Sequence, residues 1–368
     1  MAAVVEVSRF YRSTDQSFGT HLALRWKGRV RYTVPREAAS QRACWKFFQP
    51  GRLDVPLRAM AHLPRLLGAV SCVEAENLAS IRGAIGTAPG LSCCRAGAPG
   101  PWSKDTILFL DKRLSAPLYV VKAGTGEEVC NFLRNEADWL RALRDSPFLH
   151  NNVPELVVHR SGPDLCFLAQ STLSGSVDFE LGELQLGFLQ KLQESSVQSM
   201  RYQDSRLYRT LSSRIGELSG LLTQSWSNRL DSAMRKIEHS LSGSPTPFVA
   251  SHNDFTPWNI RIEQGIVKVF DWEYADHEQF PLFDPLQFIL MPRALNGQSV
   301  ARMVQSMYET FQLCEKWLGI ERCYKPQTQV LGYLLSICTL YLRSVRGNYR
   351  SHTVLDLYAL LIDELCPN

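Results

Sequence analysis

The segment His252-Asn253-Asp254-Phe255-Thr256-Pro257-Trp258-Asn259 sets a carboxylate two residues after an imidazole, and a side-chain amide five residues after that carboxylate. A little downstream, the run Ile266-Val267-Lys268-Val269-Phe270 ends in Asp271. Ile260-Arg261-Ile262 pairs naturally with that run across Glu263-Gln264-Gly265, a short turn ending in glycine. Pairing Ile262 with Ile266 sets Asn259 opposite Val269 and leaves Asp271 just past that rung, a diagonal neighbour at about 7 Å. An amide oxygen and a carboxylate so placed suit Mg²⁺, a hard ion that takes oxygen ligands. Asp254, in the loop leading into the hairpin, can orient or deprotonate an attacking hydroxyl. Singly, Asp254 and Asn259 also fit a plain turn around Pro257, and Asp271 a plain strand end. All of them in this order are a much rarer coincidence.

A second element is Lys122, which follows Leu118-Tyr119-Val120-Val121 and so ends a strand in a cation. The next segment has Val129, Phe132, Leu133, Leu140 and Leu143 at helical spacing, and Glu136 falls inside that stripe. A carboxylate on a buried face needs a partner, and Lys122 is the natural one. The pair then holds the ammonium ready for nucleotide phosphates. The alternative is a solvated lysine, with Glu136 bound locally to Arg134 or Arg144. A third segment, Ala96-Gly97-Ala98-Pro99-Gly100-Pro101-Trp102-Ser103-Lys104, offers Gly97, Gly100 and Ser103 as phosphate contacts. Its two prolines donate no N–H, so a plain surface loop competes with that reading. No G-x-x-x-x-G-K-[ST] segment occurs, which excludes a P-loop nucleotide site.

The elements that must position these residues fall into a β-rich half followed by a helical half. Leu22–Trp26 and Arg29–Val34 alternate around Lys27-Gly28 as a hairpin. Ala38 to Ile85 is predicted helical, with breaks at Pro50-Gly51, Pro56 and Pro64, and Gly86 to Pro101 is predicted as loop. Strands are predicted at 106–110, 118–121, 156–159 and 165–169, and a helix at 127–144. Beyond Gly175 the pattern is helical (181–192, 206–222, 229–241, 282–290, 300–318 and 329–342), interrupted by the island 260–270.

Bulk properties narrow the class. The chain has 368 residues, 45% of them hydrophobic and 21% charged, with a net charge of +4 and no dense Lys/Arg run. That argues against a nucleic-acid partner. The longest apolar stretch, Val330 to Leu342, is too short to span a bilayer, and Met1 to Arg12 lacks the apolar core of a signal peptide. Ten cysteines with no C-x-x-C pair, several inside apolar runs such as Leu165-Cys166-Phe167 and Ile337-Cys338-Thr339, read as small buried hydrophobes in a reducing compartment. The expectation is a soluble cytoplasmic protein; nothing in the sequence fixes its oligomeric state.

The order Lys122, Glu136, His252-x-Asp254, Asn259, Asp271 resembles the protein-kinase-like fold of the aminoglycoside phosphotransferases, choline and ethanolamine kinases and related sugar kinases. Val269-Phe270-Asp271-Trp272-Glu273-Tyr274-Ala275, followed by Phe283-Asp284-Pro285-Leu286, is similar to that group's metal-binding strand end and following helix. The resemblance runs from about Gly90 to the C-terminus and is loose in the glycine segment. It implies a two-lobed α+β fold: an N-terminal α+β extension of unassigned role (1–89), a β-rich nucleotide-binding lobe (90–172) and a mostly helical catalytic and substrate-binding lobe (173–368). It also implies Asp254 as catalytic base and Asn259 and Asp271 as Mg²⁺ ligands. Lys122 would meet the α- and β-phosphates, braced by Glu136, and His252 and Asp284 would support the catalytic loop. The strand end holding Gln170 and Thr172 would pass the adenine of ATP, with GTP as the alternative nucleotide.

The acceptor is then a small-molecule hydroxyl, with a sugar or polyol as first choice. Aminoglycosides are polycations and want an acidic pocket, for which Asp356, Asp363 and Glu364 are a thin set that fits a solvated helix face as well. Choline or ethanolamine wants an aromatic cage, for which Trp258, Trp272, Tyr274, Trp317, Tyr333 and Tyr341 are the candidates. A non-catalytic nucleotide-binding scaffold of the same fold is the rival from another class. A metal-dependent hydrolase built on His252 and Asp254 lacks further histidines at useful spacing.

Overall fold

The computed structural model describes residues 6–14, 19–48, 55–62, 69–86, 90–319, 325–346 and 352–367. The chain divides into two compact units: Met1–Asp138 with Pro154–Thr172, and Trp139–Val153 with Leu173–Asn368.

The first unit is built on one antiparallel sheet of ten strands. They are β1 (Glu6–Ser8), β2 (Tyr11–Ser13), β3 (His21–Trp26), β4 (Arg29–Pro35), β5 (Val70–Glu74), β6 (Ser92–Arg95), β7 (Lys104–Leu110), β8 (Pro117–Gly124), β9 (Leu156–Ser161) and β10 (Cys166–Ser171), ordered β1-β2-β5-β3-β4-β6-β7-β8-β10-β9. Strands from residues 1–89 therefore lie in the same sheet as β7, β8 and β10. Alternation assigns the two faces. Ala23, Cys94, Ile107, Phe109, Val121, Ala123, Phe167 and Ala169 enter one apolar cluster, completed by Leu78, Ile81 and Ile85 of a helix at Glu76–Ile85. Leu22, Leu24, Cys93, Leu108, Leu110 and Val120 enter the other, with Cys44 and Trp45 of a helix at Ala38–Phe48 and Ala61 of one at Val55–His62. A sheet covered on both faces explains why Thr106–Leu110 and Leu118–Val121 read as apolar runs rather than as alternating strands.

The hairpin at Lys27-Gly28 forms as its pattern predicts, with both turn residues at positive φ (49° and 77°), as a two-residue hairpin turn requires. Three expectations are corrected. Ala38–Ile85 is not helical throughout, because Val70–Glu74 is a strand laddered to β2 and β3. Its five residues lie between helices, so their spacing masks it; residues 49–54 and 63–68 of that stretch lie outside those described. The loop predicted at Gly86–Pro101 contains β6, whose Ser-Cys-Cys-Arg has little strand propensity of its own and is held by β4 and β7. The cysteines are not all small free hydrophobes. Cys44 is bonded to Cys93 and Cys130 to Cys166, with Cα atoms 6.4 and 5.5 Å apart, because helix and strand bring each pair face to face. Cys72, Cys94 and Cys338 are free and buried, and Cys314 is buried.

The second unit is mainly helical: Glu183–Glu194, Arg206–Leu218, Gln224–Leu241, Phe283–Leu295, Val300–Leu318, Pro326–Ser344 and Thr353–Leu365. It also holds more strand than predicted. Besides the hairpin β13 (Ile260–Glu263) and β14 (Ile266–Val269), a three-stranded sheet joins β11 (Gln198–Met200), β12 (Thr246–Ser251) and β15 (Asp276–Gln279). Helix Pro326–Ser344 is buried on nearly all sides, packed by Arg206–Leu218, Gln224–Leu241, Phe283–Leu295 and Thr353–Leu365. That position accounts for its apolar composition; among the described residues no helix is long and apolar enough to cross a membrane.

Gly332, midway along this helix, lets the Phe280 ring approach: a Cβ there would lie 2.3 Å from a ring carbon, while Phe280 is itself stacked on Phe248 and Tyr202. Gly332→Ala gains helix propensity but overpacks this contact, and the clash dominates. Urea unfolding should show a net loss of about 1–3 kcal/mol.

Candidate active site

In the hairpin, Ile260 pairs with Val269, Arg261 with Lys268, Ile262 with Val267 and Glu263 with Ile266. This is one residue off the register expected from a three-residue turn. The connection is the two-residue turn Gln264-Gly265 with φ of 53° and 76°, the conformation whose twist matches the flanking strands. Asn259 thus lies opposite Phe270, whose N–H donates to the Asn259 carbonyl at 3.1 Å. Asp271 follows at φ 73°, a left-handed conformation that costs a non-glycine residue of order 1–3 kcal/mol and that the surroundings must impose.

The loop before the hairpin is held from both ends. His252 is fully buried; its Nε2–H donates to the Phe270 carbonyl at 3.0 Å, and its Nδ1 accepts the backbone N–H of Asp254 at 3.2 Å. The carbonyl can only accept, so the tautomer is fixed with the proton on Nε2. The Trp272 ring packs edge-on against the imidazole at 4.6 Å. Asp284, at the start of helix Phe283–Leu295, accepts the backbone N–H groups of His252 (2.8 Å) and Asn253 (2.9 Å). Asn253 is itself left-handed (φ 62°), and its side chain bonds the Tyr274 carbonyl and Gln279. The sequence therefore brings His252, Asp254, Asn259, Asp271 and Asp284 together in one unit.

Asp254 is where these contacts converge. Asn259 donates to its carboxylate at 2.7 Å and Gln287 to the other oxygen at 2.9 Å. Because the Asn259 amide nitrogen faces Asp254, its amide oxygen is turned to other partners. Burial pushes the Asp254 carboxyl up to about 8; the Asp271 charge adds to this, the bonds from Gln287 and Asn259 oppose it, and Glu273 adds a further rise. Burial likewise raises Asp284 to about 6, against the backbone N–H groups it accepts. Asp271 and Asn259 offer only hard oxygen donors, and the carboxylates of Asp254, Asp271 and Glu273 repel one another, so this donor set fits a divalent cation such as Mg²⁺.

In the first unit Lys122 Nζ donates to both Glu136 oxygens at 2.7 Å, and Glu136 has no exposed surface. Local pairing of Glu136 with Arg134 is set aside: Arg134 bonds Asn131 instead. The glycine segment forms the tip of the β6–β7 hairpin. The Gly97 N–H is taken by Asp105 at 3.0 Å, the Gly100 carbonyl accepts from Ser103, and Trp102 packs on Phe132. A phosphate cradle would need that Gly97 N–H open. Gln170 is buried with an amide oxygen that has no partner, and Thr172 Oγ1 donates to the Pro117 carbonyl.

One residue bonded to Asp254 escaped the sequence reading. Gln287 donates to Asp254 and accepts from the Tyr333 hydroxyl at 3.0 Å, and Tyr333 in turn bonds Tyr358 at 2.7 Å. The signal was available: Gln287 is the lone amide in the apolar run Leu286 to Leu290, and a buried polar group has a partner. Asp356, Asp363 and Glu364 lie on the exposed face of their helix, with Asp363 paired to Arg229. Trp272 and Tyr333 are packed in the interior.

The ion pair yields a stability test. Lys122→Met strands a buried carboxylate and should cost about 3–5 kcal/mol, whereas adding Glu136→Leu to Lys122→Met should recover most of that loss. Paired urea titrations measure both.

The sequence profile of the phosphotransferase enzyme family, abbreviated APH, matches residues 96–288. No curated protein matches the chain. Among solved structures, a thermostable mutant of the aminoglycoside phosphotransferase APH(4)-Ia, in ternary complex with ADP and hygromycin B, has a TM-score of 0.51 at 15% identity, covering 78% of this chain and 97% of that one. ADP-bound aminoglycoside phosphotransferase APH(2'')-Ib gives 0.48 at 15% identity, over 80% of this chain and 99% of that one. With the family profile covering more than half of its length, the chain belongs to the phosphotransferase enzyme family, has a protein-kinase-like α+β fold, and is a phosphotransferase acting on a hydroxyl group.

Proposed function

We propose that the protein transfers the γ-phosphoryl group of ATP to a hydroxyl of a sugar or polyol, with Asp254 as the base. The observation that carries this reading is the Asp254 carboxylate, held by Asn259 and Gln287 with Asp271 and Glu273 nearby. Mg²⁺ held by Asn259 and Asp271 would neutralise phosphate charge and draw out the mutual repulsion of the carboxylates. Asp254 then orients the acceptor hydroxyl and takes its proton. His252 and Asp284 keep the loop in place through backbone contacts, so they position the base without touching substrate. Lys122, steadied by both oxygens of Glu136, supplies a fixed cation to the nucleotide phosphates. Gln170, with its buried unpartnered amide oxygen, is the adenine contact; the Thr172 hydroxyl and N–H are already committed to the Pro117 and Leu118 carbonyls, which leaves its own carbonyl. Gly97, Gly100 and Ser103 contribute a lid more than a cradle, since the Gly97 N–H is taken.

The choice of a sugar or polyol rests on where the residues considered for the alternatives lie. The acidic trio at the C-terminal helix faces solvent, which suits a polycationic aminoglycoside poorly. Interior packing of Trp272 and Tyr333 removes two members of an aromatic cage for choline.

The test is ADP release with Mg²⁺-ATP and pooled sugars, polyols, amino-alcohols and aminoglycosides. A sugar or polyol pool should raise turnover, and Asp254→Ala should lower kcat by about 10²–10⁴-fold while ATP still binds. Equal ADP release in every pool and in Asp254→Ala would leave only a nucleotide-binding scaffold.

Dependence on pH follows from the raised carboxyl. An ordinary aspartate is ionised above about 4, whereas Asp254 is pushed up to about 8, so its base form is gained as pH rises and kcat/KM falls on the acid side. Removing one of the repelling charges lowers the carboxyl. Glu273→Gln should therefore shift the acid limb of the kcat/KM profile to lower pH at the same saturating Mg²⁺; an upward shift would contradict the assignment.

A further inference from the structure

In the second unit a cleft runs beside the catalytic loop; its polar lining includes Asn253, Tyr274, Arg214 and Ser336 together with the carboxylates of Asp276 and Glu278. Tyr274 connects its two ends electrostatically. The Tyr274 hydroxyl is held well above its usual range by burial first, and also by the charges of Glu273, Asp271 and Asp254. At the other end the same residue faces Arg214, on helix Arg206–Leu218.

Arg214 is half-buried, and among the described residues it makes no hydrogen bond and has no carboxylate within ion-pair distance. Burial, and next the neighbouring charge of Arg343, push its guanidinium below the usual range. The acidic groups around it are committed elsewhere. Asp276 takes the Arg206 guanidinium at 3.4 Å and the backbone N–H of Glu278; Glu278 accepts the backbone N–H of Arg206; Glu217 is bound by Arg343 at 2.7 Å. Across the cleft, the Ser336 hydroxyl on helix Pro326–Ser344 is buried and also has no partner. A half-buried guanidinium and a buried hydroxyl without protein partners on facing helices both carry a cost in the free protein. Both are donors, and both line the same cleft. The occupant that satisfies them is an anion, which a guanidinium takes as a forked pair.

We infer that the acceptor bears an anionic group, a phosphate or a carboxylate, bound by Arg214 and Ser336 while its hydroxyl is presented to Asp254. This inference rests on the sugar or polyol reading and narrows it to phosphorylated or acidic sugars and polyols.

The direct test is calorimetric titration of the ADP-saturated protein with inorganic phosphate and with acetate, the tighter of the two naming the group. Arg214→Gln should weaken that binding by about tenfold or more, Arg214→Lys should retain part of it, and Ser336→Ala should weaken it less. Arg214→Gln should leave the melting temperature of the ligand-free protein unchanged or higher, since it removes an unpaired, half-buried charge. Failure of both anions to bind, indifference of binding to Arg214→Gln, or a lowered melting temperature would overturn the inference. In turnover assays, phosphate-bearing and acidic acceptors should exceed their neutral counterparts in kcat/KM, and Arg214→Gln should collapse that ratio through KM. Neutral sugars turned over equally well, with no dependence on Arg214, would sink the inference and leave the phosphotransfer reading standing. Anion binding as described, with no acceptor raising turnover above Asp254→Ala, would do the reverse.

Discussion

Asp254 is a carboxylate taken out of water beside two others, and most of the second unit is arranged to hold it there. No lysine or arginine is among its direct hydrogen-bond partners; the side-chain donors are the neutral amides of Asn259 and Gln287. Neutral donors satisfy the oxygens without cancelling the charge, so the repulsion from Asp271 and Glu273 survives and the carboxyl stays far above its ordinary range. A cationic partner would give a more stable resting protein and a weaker base. The chemistry of hydroxyl phosphorylation favours the amides.

Holding such a group requires a rigid frame, and the frame is made of backbone. His252 ties the Asp254 N–H to the Phe270 carbonyl, which joins the catalytic loop to the strand end that carries Asp271. Asp284 ties the same loop to the following helix. The tie through Gln287 continues into Tyr333 and Tyr358, so the base is coupled to helix Pro326–Ser344 and to the C-terminal helix. Two left-handed non-glycine residues, Asn253 and Asp271, lie at the ends of this frame, and the hydrogen bonds around them offset the strain.

How much of this was legible follows from the range of each interaction. Lys122 with Glu136, and Asp254 with Asn259 and Asp271, were readable because a strand, a helix and a hairpin have fixed periods that place side chains before any tertiary contact is known. The hairpin register came out one residue wrong, since Glu263-Gln264-Gly265 admits a two- or a three-residue turn and only the left-handed Gln264 decides between them. Val70–Glu74 and Ser92–Arg95 were hidden because their ladder partners are distant in sequence and their own composition is neutral. The Cys44–Cys93 and Cys130–Cys166 pairs were invisible for the same reason. Gln287 is the instructive miss: its apolar surroundings announced a buried amide, but its target lies 33 residues away, across a loop whose path the sequence does not specify.

Arg214 and Asp254 present one argument twice. Each is an ionisable group without an ion-pair partner of its own, and each loses stability for it. Proteins that need only to fold replace such groups or pair them; the ion pair of Lys122 with Glu136 shows this chain doing so where it suits. In the proposed reading, Asp254 beside the cleft and Arg214 in its lining divide two tasks, proton abstraction and recognition. In that reading, the free energy withheld from folding is drawn on by Mg²⁺ at the carboxylate end and by the acceptor's anionic group at Arg214.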